Sequence, residues 1–410
     1  MCGFKPPWHC KDQEHRKDLV PMRILQTLLS FVLIAALSTE AEAQPSFNDA
    51  VMGYAYVNPA GSLQFDHLYQ REGTDVVSLH PLTGVHTVQF HQVVPQGSFV
   101  PMASWAGSST RGCTIRGYGF GLTPEFTTHR WATIHCFDEN GNSLNVWHQV
   151  MLVDEGSANG NNTKLAFTDS QEALPSGNFL DLSNGSTHNP GGGSTTLTRL
   201  GTGQYHVTFN DLGAVMTHGA TVQVIPYSVT EPRACRVDDW TLQFAGSNNA
   251  RVRIHCRGLS GSGLVDSRFV VLLTSTEPSS STAASAAFPG QSTAATTWTP
   301  VSGPDVHNPH GDVEMRWDPG PSGGSHQVRF QWPSDSEGGV VFASPVFESL
   351  HNCINSSPHR PSTESADYIY VNVVCLNNDG ESSTSSFNLL LTEVSSQPLP
   401  DHIFSDRFEP

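Results

Sequence analysis

Two stretches set a histidine beside a cysteine: His135-Cys136 and His255-Cys256. A thiolate beside an imidazole can ligate a metal or act as an activated nucleophile. The longer stretch, Arg251-Val252-Arg253-Ile254-His255-Cys256, alternates apolar and polar residues, which is the period of a half-buried strand. It recurs as Trp131-Ala132-Thr133-Ile134-His135-Cys136 and as Val371-Asn372-Val373-Val374-Cys375. In the third copy Val374 stands where the others have histidine, so the histidine is dispensable and the cysteine is framework. The alternation sends His135 and His255 to the face opposite Ile134 and Ile254, toward solvent.

Other candidate chemistry is equally diffuse. All nineteen histidines except His9 and His15 lie beyond residue 43, yet no His-x-x-x-His or Cys-x-x-Cys spacing occurs. His86, His206 and His326 flank a repeated Val-x-Phe and read as packing or surface residues. Asp138-Glu139-Asn140-Gly141-Asn142 offers oxygen ligands but lacks the frame and closing glutamate of an EF-hand, so a hairpin turn is expected. Ser260-Gly261-Ser262-Gly263 is a turn rather than a nucleophile elbow. No catalytic, cofactor-binding or metal residue is assigned. Trp105, Trp131, Trp147, Trp240, Trp298, Trp317 and Trp332 are the residue type of sugar-stacking platforms, but they occupy no common position. Trp131, Trp317 and Trp332 sit in alternating strands and are expected in cores.

The elements behind these residues repeat with a period of about 120 residues. Each copy has a glycine followed by Val-x-Phe: Gly84 with Val88 and Phe90, Gly203 with Val207 and Phe209, Gly324 with Val328 and Phe330. A short apolar strand follows (98–103, 221–224, 340–343). Then comes a cysteine pair, and last a strand carrying His148, Val150 and Leu152, or Phe269, Val271 and Leu273, or Phe387, Leu389 and Leu391. His148 replaces a phenylalanine, so the first copy is expected to cover that face less tightly. Copies two and three share His-Asn-Pro at 188–190 and 307–309.

The expected fold is all-β: three tandem β-sandwich, immunoglobulin-like domains at 44–153, 164–274 and 286–393, each with one disulfide. Small polar stretches at 154–163 and 275–285 read as flexible spacers. The repeat makes Cys113–Cys136, Cys235–Cys256 and Cys353–Cys375 the natural pairing among fifteen possible. The separations are too short for the immunoglobulin inter-sheet bridge, so each disulfide is expected to join strands close in sequence.

Residues 1–43 carry an address. Ile24–Ser38 is an apolar run behind Arg23, and Ala41-Glu42-Ala43 is a small-x-small cleavage site. Met22 is the expected start, because residues 1–21 are polar. No transmembrane segment is expected after cleavage, and six cysteines remain, an even number suited to an oxidising compartment. The formal charge of −17 argues against nucleic acid and anionic membrane as partners.

Residues 394–410 form a spacer and tail ending Ile403-Phe404-Ser405-Asp406-Arg407-Phe408-Glu409-Pro410. This tail resembles the Ile-Phe-x-Asp-Gly-Phe-Glu ending of exported proteins of xanthomonad-like Gram-negative bacteria, with Arg407 in place of the glycine. That resemblance implies an exported bacterial protein. The repeats resemble a family of secreted bacterial disulfide-stapled β-domains with the pattern Gly-x-x-x-Val-x-Phe, Cys, Val-x-Val-x-Cys, Asp-Ser-x-Phe. Copy two fits best, with Asp266-Ser267-Arg268-Phe269. The resemblance implies a fold and no activity. The function expected is that of a secreted non-enzymatic binding or structural protein of unknown ligand, with extracellular protein or glycan as partner. Carbohydrate-binding adhesin and extracellular hydrolase are the alternatives.

Overall fold

The computed structural model describes residues 50–71, 76–93, 97–105, 112–122, 128–138, 140–156, 165–170, 177–183, 186–217, 219–229, 231–258, 263–275, 283–287, 295–319, 324–332, 340–346, 352–355, 367–376, 382–383 and 386–392. The expected signal segment and the C-terminal tail lie outside them.

Alternating sequences become strands here, and the strands assemble three lobes. The first contains β1 (Val51–Val57), β2 (Leu63–Gln70), β3 (Val76–Leu82), β4 (Val85–His91), β5 (Phe99–Trp105), β6 (Gly112–Leu122), β7 (Thr128–Phe137) and β8 (His148–Asp154). The second contains β9 (Leu165–Asp169), β10 (Phe179–Asp181), β11 (Thr187–His188), β12 (Thr195–Gly201), β13 (Gln204–Phe209), β14 (Ala220–Tyr227), β15 (Arg233–Thr241), β16 (Ala250–Gly258) and β17 (Arg268–Ser275). The third contains β18 (Ala283–Ala287), β19 (Thr299–Pro300), β20 (Val306–His307), β21 (Val313–Asp318), β22 (Ser325–Gln331), β23 (Val340–Pro345), β24 (Asn352–Asn355), β25 (Tyr368–Leu376), β26 (Ser382–Ser383) and β27 (Phe387–Thr392).

Each lobe pairs two sheets. One sheet runs β2-β1-β8-β5, β11-β9-β17-β14 or β20-β18-β27-β23. Facing it is β3-β4-β7-β6, β10-β12-β13-β16-β15 or β19-β21-β22-β25-β24, and β14 joins β6 edge to edge, so that β11-β9-β17-β14-β6-β7-β4-β3 is one continuous eight-stranded sheet. The Val-x-Phe residues point between the sheets and are fully buried in all three lobes. All-β sandwich architecture is thus what the alternating sequence builds.

The marker glycines have distinct reasons. Gly84 and Gly203 lie at φ 73° and 64°, a left-handed conformation that disfavours side chains. Their carbonyls accept from the Cys136 and Cys256 amides at 2.8 Å, joining the turn to the cysteine strand. Gly324 shares the spacing but not the conformation: a Cβ there would strike the Trp317 indole.

The strands run past the spacer limits read from composition. Asp154 and Ser275, both read as spacer, are the last residues of β8 and β17 and are buried. Arg71 holds the Asp154 carboxylate at 2.6 Å. β18 begins at Ala283, inside the second spacer. A window of composition cannot see a partner 83 residues away, as Arg71 is from Asp154.

Candidate functional site

The cysteines pair within each lobe as Cys113–Cys136, Cys235–Cys256 and Cys353–Cys375. Each pair is directly opposite on adjacent antiparallel strands, with Cα atoms 4.0–4.1 Å apart. In the first two lobes the second cysteine spends both backbone groups elsewhere: Cys136 and Cys256 donate to Gly84 and Gly203 and accept from Leu144 and Val265. That leaves a non-hydrogen-bonded pair, whose close Cβ approach suits a disulfide.

The three lobes meet at one junction. Strand register defines equivalent positions there: Trp105 pairs with His148, Pro226 with Phe269, and Pro345 with Phe387. By the same count Ser104, Ile225 and Ser344 are equivalent, as are Gln149, Val270 and Asn388. Gln149 accepts from the Val341 amide at 2.7 Å, so lobe one grips lobe three. Asn388 donates to the Val222 carbonyl at 2.7 Å, so lobe three grips lobe two in the same way. Ser104 donates to Val341 O at 3.0 Å, and the Ser344 hydroxyl meets the Val224 amide at 3.0 Å. At the remaining position of each set stand Ile225 and Val270, and both join the first lobe's hydrophobic cluster. Two junctions are polar and one is apolar.

Backbone contacts follow the same ring. Tyr227 bridges to Ile115 in parallel and Val346 to Val237, while β24 lies against β5. The arrangement approximates a threefold. At its centre lies a depression lined by Ala103, Val224 and Ala343 and by Cys113, Cys235 and Cys353. It has about 70 Å³ of room for water-sized groups. That admits a few waters and falls well short of the roughly 300 Å³ of a small-ligand pocket. The junction is therefore a packing device. The sequence reading missed it, although a signal was present. Val150–Val153, Phe269–Leu273 and Leu389–Leu391 are unbroken apolar runs, the pattern of strands buried on both faces. Reading only every second residue hid the second face.

The histidines fall into separate settings. His86 is fully buried, its ring 4.4 Å from His80 and 4.5 Å from His148. His148 donates from Nδ1 to Val146 O, 3.0 Å away, and is also fully buried, so the first lobe covers this face as completely as the others. That corrects the expectation of looser cover: an imidazole fills the phenyl site by packing tilted against a second imidazole. The equivalent contacts are Tyr205 on Phe269 at 5.1 Å and His326 on Phe387 at 5.3 Å. Burial lowers the His86 pKa to about 3, helped by His148 and His80, and lowers that of His148 to about 4.

His135 and His255 do lie on outer sheet faces. His135 Nε2 is 2.8 Å from Ser143 Oγ, a serine–histidine contact. Its Nδ1 has no hydrogen-bond partner among the described residues, and Arg116 is the charge that, with burial, lowers its pKa. An orienting carboxylate, which completes such a pair in hydrolases, is not what faces it. Among the described residues no group of three His, Cys, Asp or Glu is placed to hold a metal.

His188 and His307 are buried beside structural asparagines. Asn189 donates to Gly193 O and Asn210 O, and Asn308 to Asp312 O and Gln331 O. The His-Asn-Pro motif is thus a loop clasp. Asp138 accepts from the amides of Asn140 and Asn142 and from the Asn142 side chain, and Gly141 sits at φ 82°, as a tight turn requires.

The tryptophans share no face. Trp105 and Trp332 are core. Trp131, expected in the core, lies on the outer face over Gly117 and Gly119, and Trp317 is half-buried against His326. Trp298 is flanked by Arg316 and Arg329, each 4.3 Å from its ring. Trp147 is exposed and stacks on Tyr56 at 5.2 Å.

In the sequence Asp266 stands only within the Asp-Ser-x-Phe motif. Its carboxylate accepts from Arg199 at 2.6 and 2.8 Å, from Tyr205 Oη at 2.9 Å and from the Gly203 amide at 2.9 Å. Asn145 occupies the equivalent place in lobe one and takes the Gly84 amide and His80.

No family model matches the chain, and no curated protein or solved structure matches it either.

Proposed function

We propose that this is an exported, non-enzymatic protein that binds or builds at or beyond the cell surface. It consists of three tandem immunoglobulin-like repeats locked into one rigid body. The junction of Gln149, Asn388, Ser104 and Ser344 carries this reading. Buried inter-lobe hydrogen bonds fix the outer sheet faces and loops at set angles, which suits a recognition scaffold. Three disulfides suit an oxidising compartment outside the cytosol. The Tyr56–Trp147 stack, with its indole exposed, supports glycan as the partner.

The mature chain can be presented to a glycan and matrix-protein array and, in parallel, to panels of ester, peptide and glycoside substrates. Binding without turnover is expected. Turnover of any substrate that is lost in a Ser143→Ala variant would replace this reading with a hydrolase.

A further inference from the structure

In the first lobe three imidazoles lie in a row from the surface inward. His80 on β3 is exposed, and the ring of His86 on β4 is stacked 4.4 Å from it. His148 on β8 follows, 4.5 Å from His86, and both of these are fully buried. Among the described residues His86 has no hydrogen-bond partner on either ring nitrogen, and His148 has none on Nε2. A buried polar group without a partner costs stability, and the cost grows when the group takes a charge.

The surroundings offer such a charge no counter-ion. Ile134 of β7 faces His86, while Val57 of β1 and Trp105 of β5 flank His148. Asn145, which meets His80, is neutral. Burial first, then His148 and His80, oppose a proton on His86. Burial and His80 oppose one on His148, against the Val146 carbonyl, which favours it.

Strand β8 links this row to the junction. Successive side chains alternate between faces, so His148 points into the sandwich and Gln149 out to lobe three. Beside the Trp105–His148 pair stands the Ser104–Gln149 pair, which holds the carbonyl and the amide of Val341. The equivalent places carry fewer imidazoles. Lobe three has His326 against Phe387, next to Asn388 and its grip on Val222. Lobe two has Tyr205 against Phe269 and no imidazole there.

We propose that the imidazole row is an acid-released latch that parts lobe one from lobe three at Val341 before the other junctions open. The proposal goes beyond the binding reading and does not depend on it. A proton on His86 or His148 needs water, and opening the start of β8 admits it; Gln149 then leaves Val341. Met151, Val153, Val340 and Phe342 share one buried cluster in the closed molecule. Opening presents that apolar surface in acid, and closing withdraws it at neutral pH. In the open state both histidines titrate near 6.5. Closed, they take a proton only near 3 and 4. The open state therefore binds more protons below pH 6.5, and opening grows as pH falls. From pH 7 to pH 5 the gain is about 20-fold for each histidine and about 500-fold for the pair.

Hydrogen exchange of single amides in a chain of residues 44–410, corrected for the intrinsic effect of pH, reads each junction separately. The Val341 amide donates to Gln149 and reports the grip of lobe one on lobe three. The Val224 amide donates to Ser344 Oγ and reports the grip of lobe three on lobe two. Between pH 7 and pH 5 Val341 should lose about 500-fold in protection, and Val224 no more than the roughly 20-fold that His326 alone supplies. In His148→Phe, which installs the residue of the other two lobes, the loss at Val341 should shrink to about 20-fold. The two amides of the parent chain decide the matter even where the variant folds poorly. Equal losses at both overturn the proposal, because the molecule then loosens as one. Constant protection of Val341 overturns it too, as does a folded His148→Phe chain that loses as much there as the parent.

Discussion

His86 and His148 are buried neutral, and that choice ties the first lobe to pH. Unfolded histidine titrates near 6.5, whereas the folded residues take a proton only near 3 and 4. Below pH 6.5 the unfolded chain therefore binds more protons, and stability falls as pH drops toward 4. The slope approaches about 1.4 kcal/mol per pH unit for each histidine. His148→Phe installs the residue that Phe269 and Phe387 supply elsewhere. It loses the bond to Val146 O, worth about 1 kcal/mol. The urea midpoint of the variant should vary less between pH 7 and pH 5, and the variant should be the more stable protein at pH 5. An unchanged slope would refute the assignment. The pairing itself could not be read from sequence. The spacing from glycine to Val-x-Phe aligns His86 with Tyr205 and His326, whereas His206, with which it was grouped, lies one residue further on and on the outer face.

At the scale of elements, the disulfides join strands already held by their ladders. Their contribution is restraint of the unfolded chain, about 3 kcal/mol for loops of 21 to 23 residues. Replacing Cys235 and Cys256 by alanine should lower unfolding stability by about that amount and leave the β-rich circular dichroism spectrum unchanged. Loss of the spectrum would mean that the bridge is needed to form the sheet. The strand positions, the turn at Asp138 and the cysteine pairing were legible, because each depends on period-two alternation or on spacing within one lobe. The role of Asn145 was not. Its likeness to Asp266 appears only where both meet a glycine amide, and asparagine and aspartate look unlike in a motif.

The whole molecule differs most from a string of domains on spacers. The described residues, from Ala50 to Thr392, fall in a single compact unit. A compact chain of this length has a radius of gyration of about 21 Å, and X-ray scattering from a chain of residues 44–410 should return a value near it. A clearly larger value, with an elongated profile, would refute the junction. Asn388→Ala removes a buried donor from Val222 O and should cost about 1–2 kcal/mol without enlarging the particle.

Local periodicity was enough to specify strands, and the recurring cysteine spacing their pairing, since each is settled among residues close in the chain. Which body covers the outer face of β8, β17 and β27 was decided only in three dimensions. Gln149 finds Val341 at a separation of 192 residues, and Asn388 finds Val222 at 166. An apolar run states that a strand is covered on both sides. It carries no label for the partner, because burial energy is non-directional and only the shape of the assembled lobes selects what fills the space. The arginines of β16 follow the same division. Their alternation placed them on one face, and tertiary structure set Arg236, His206 and two aspartates around them.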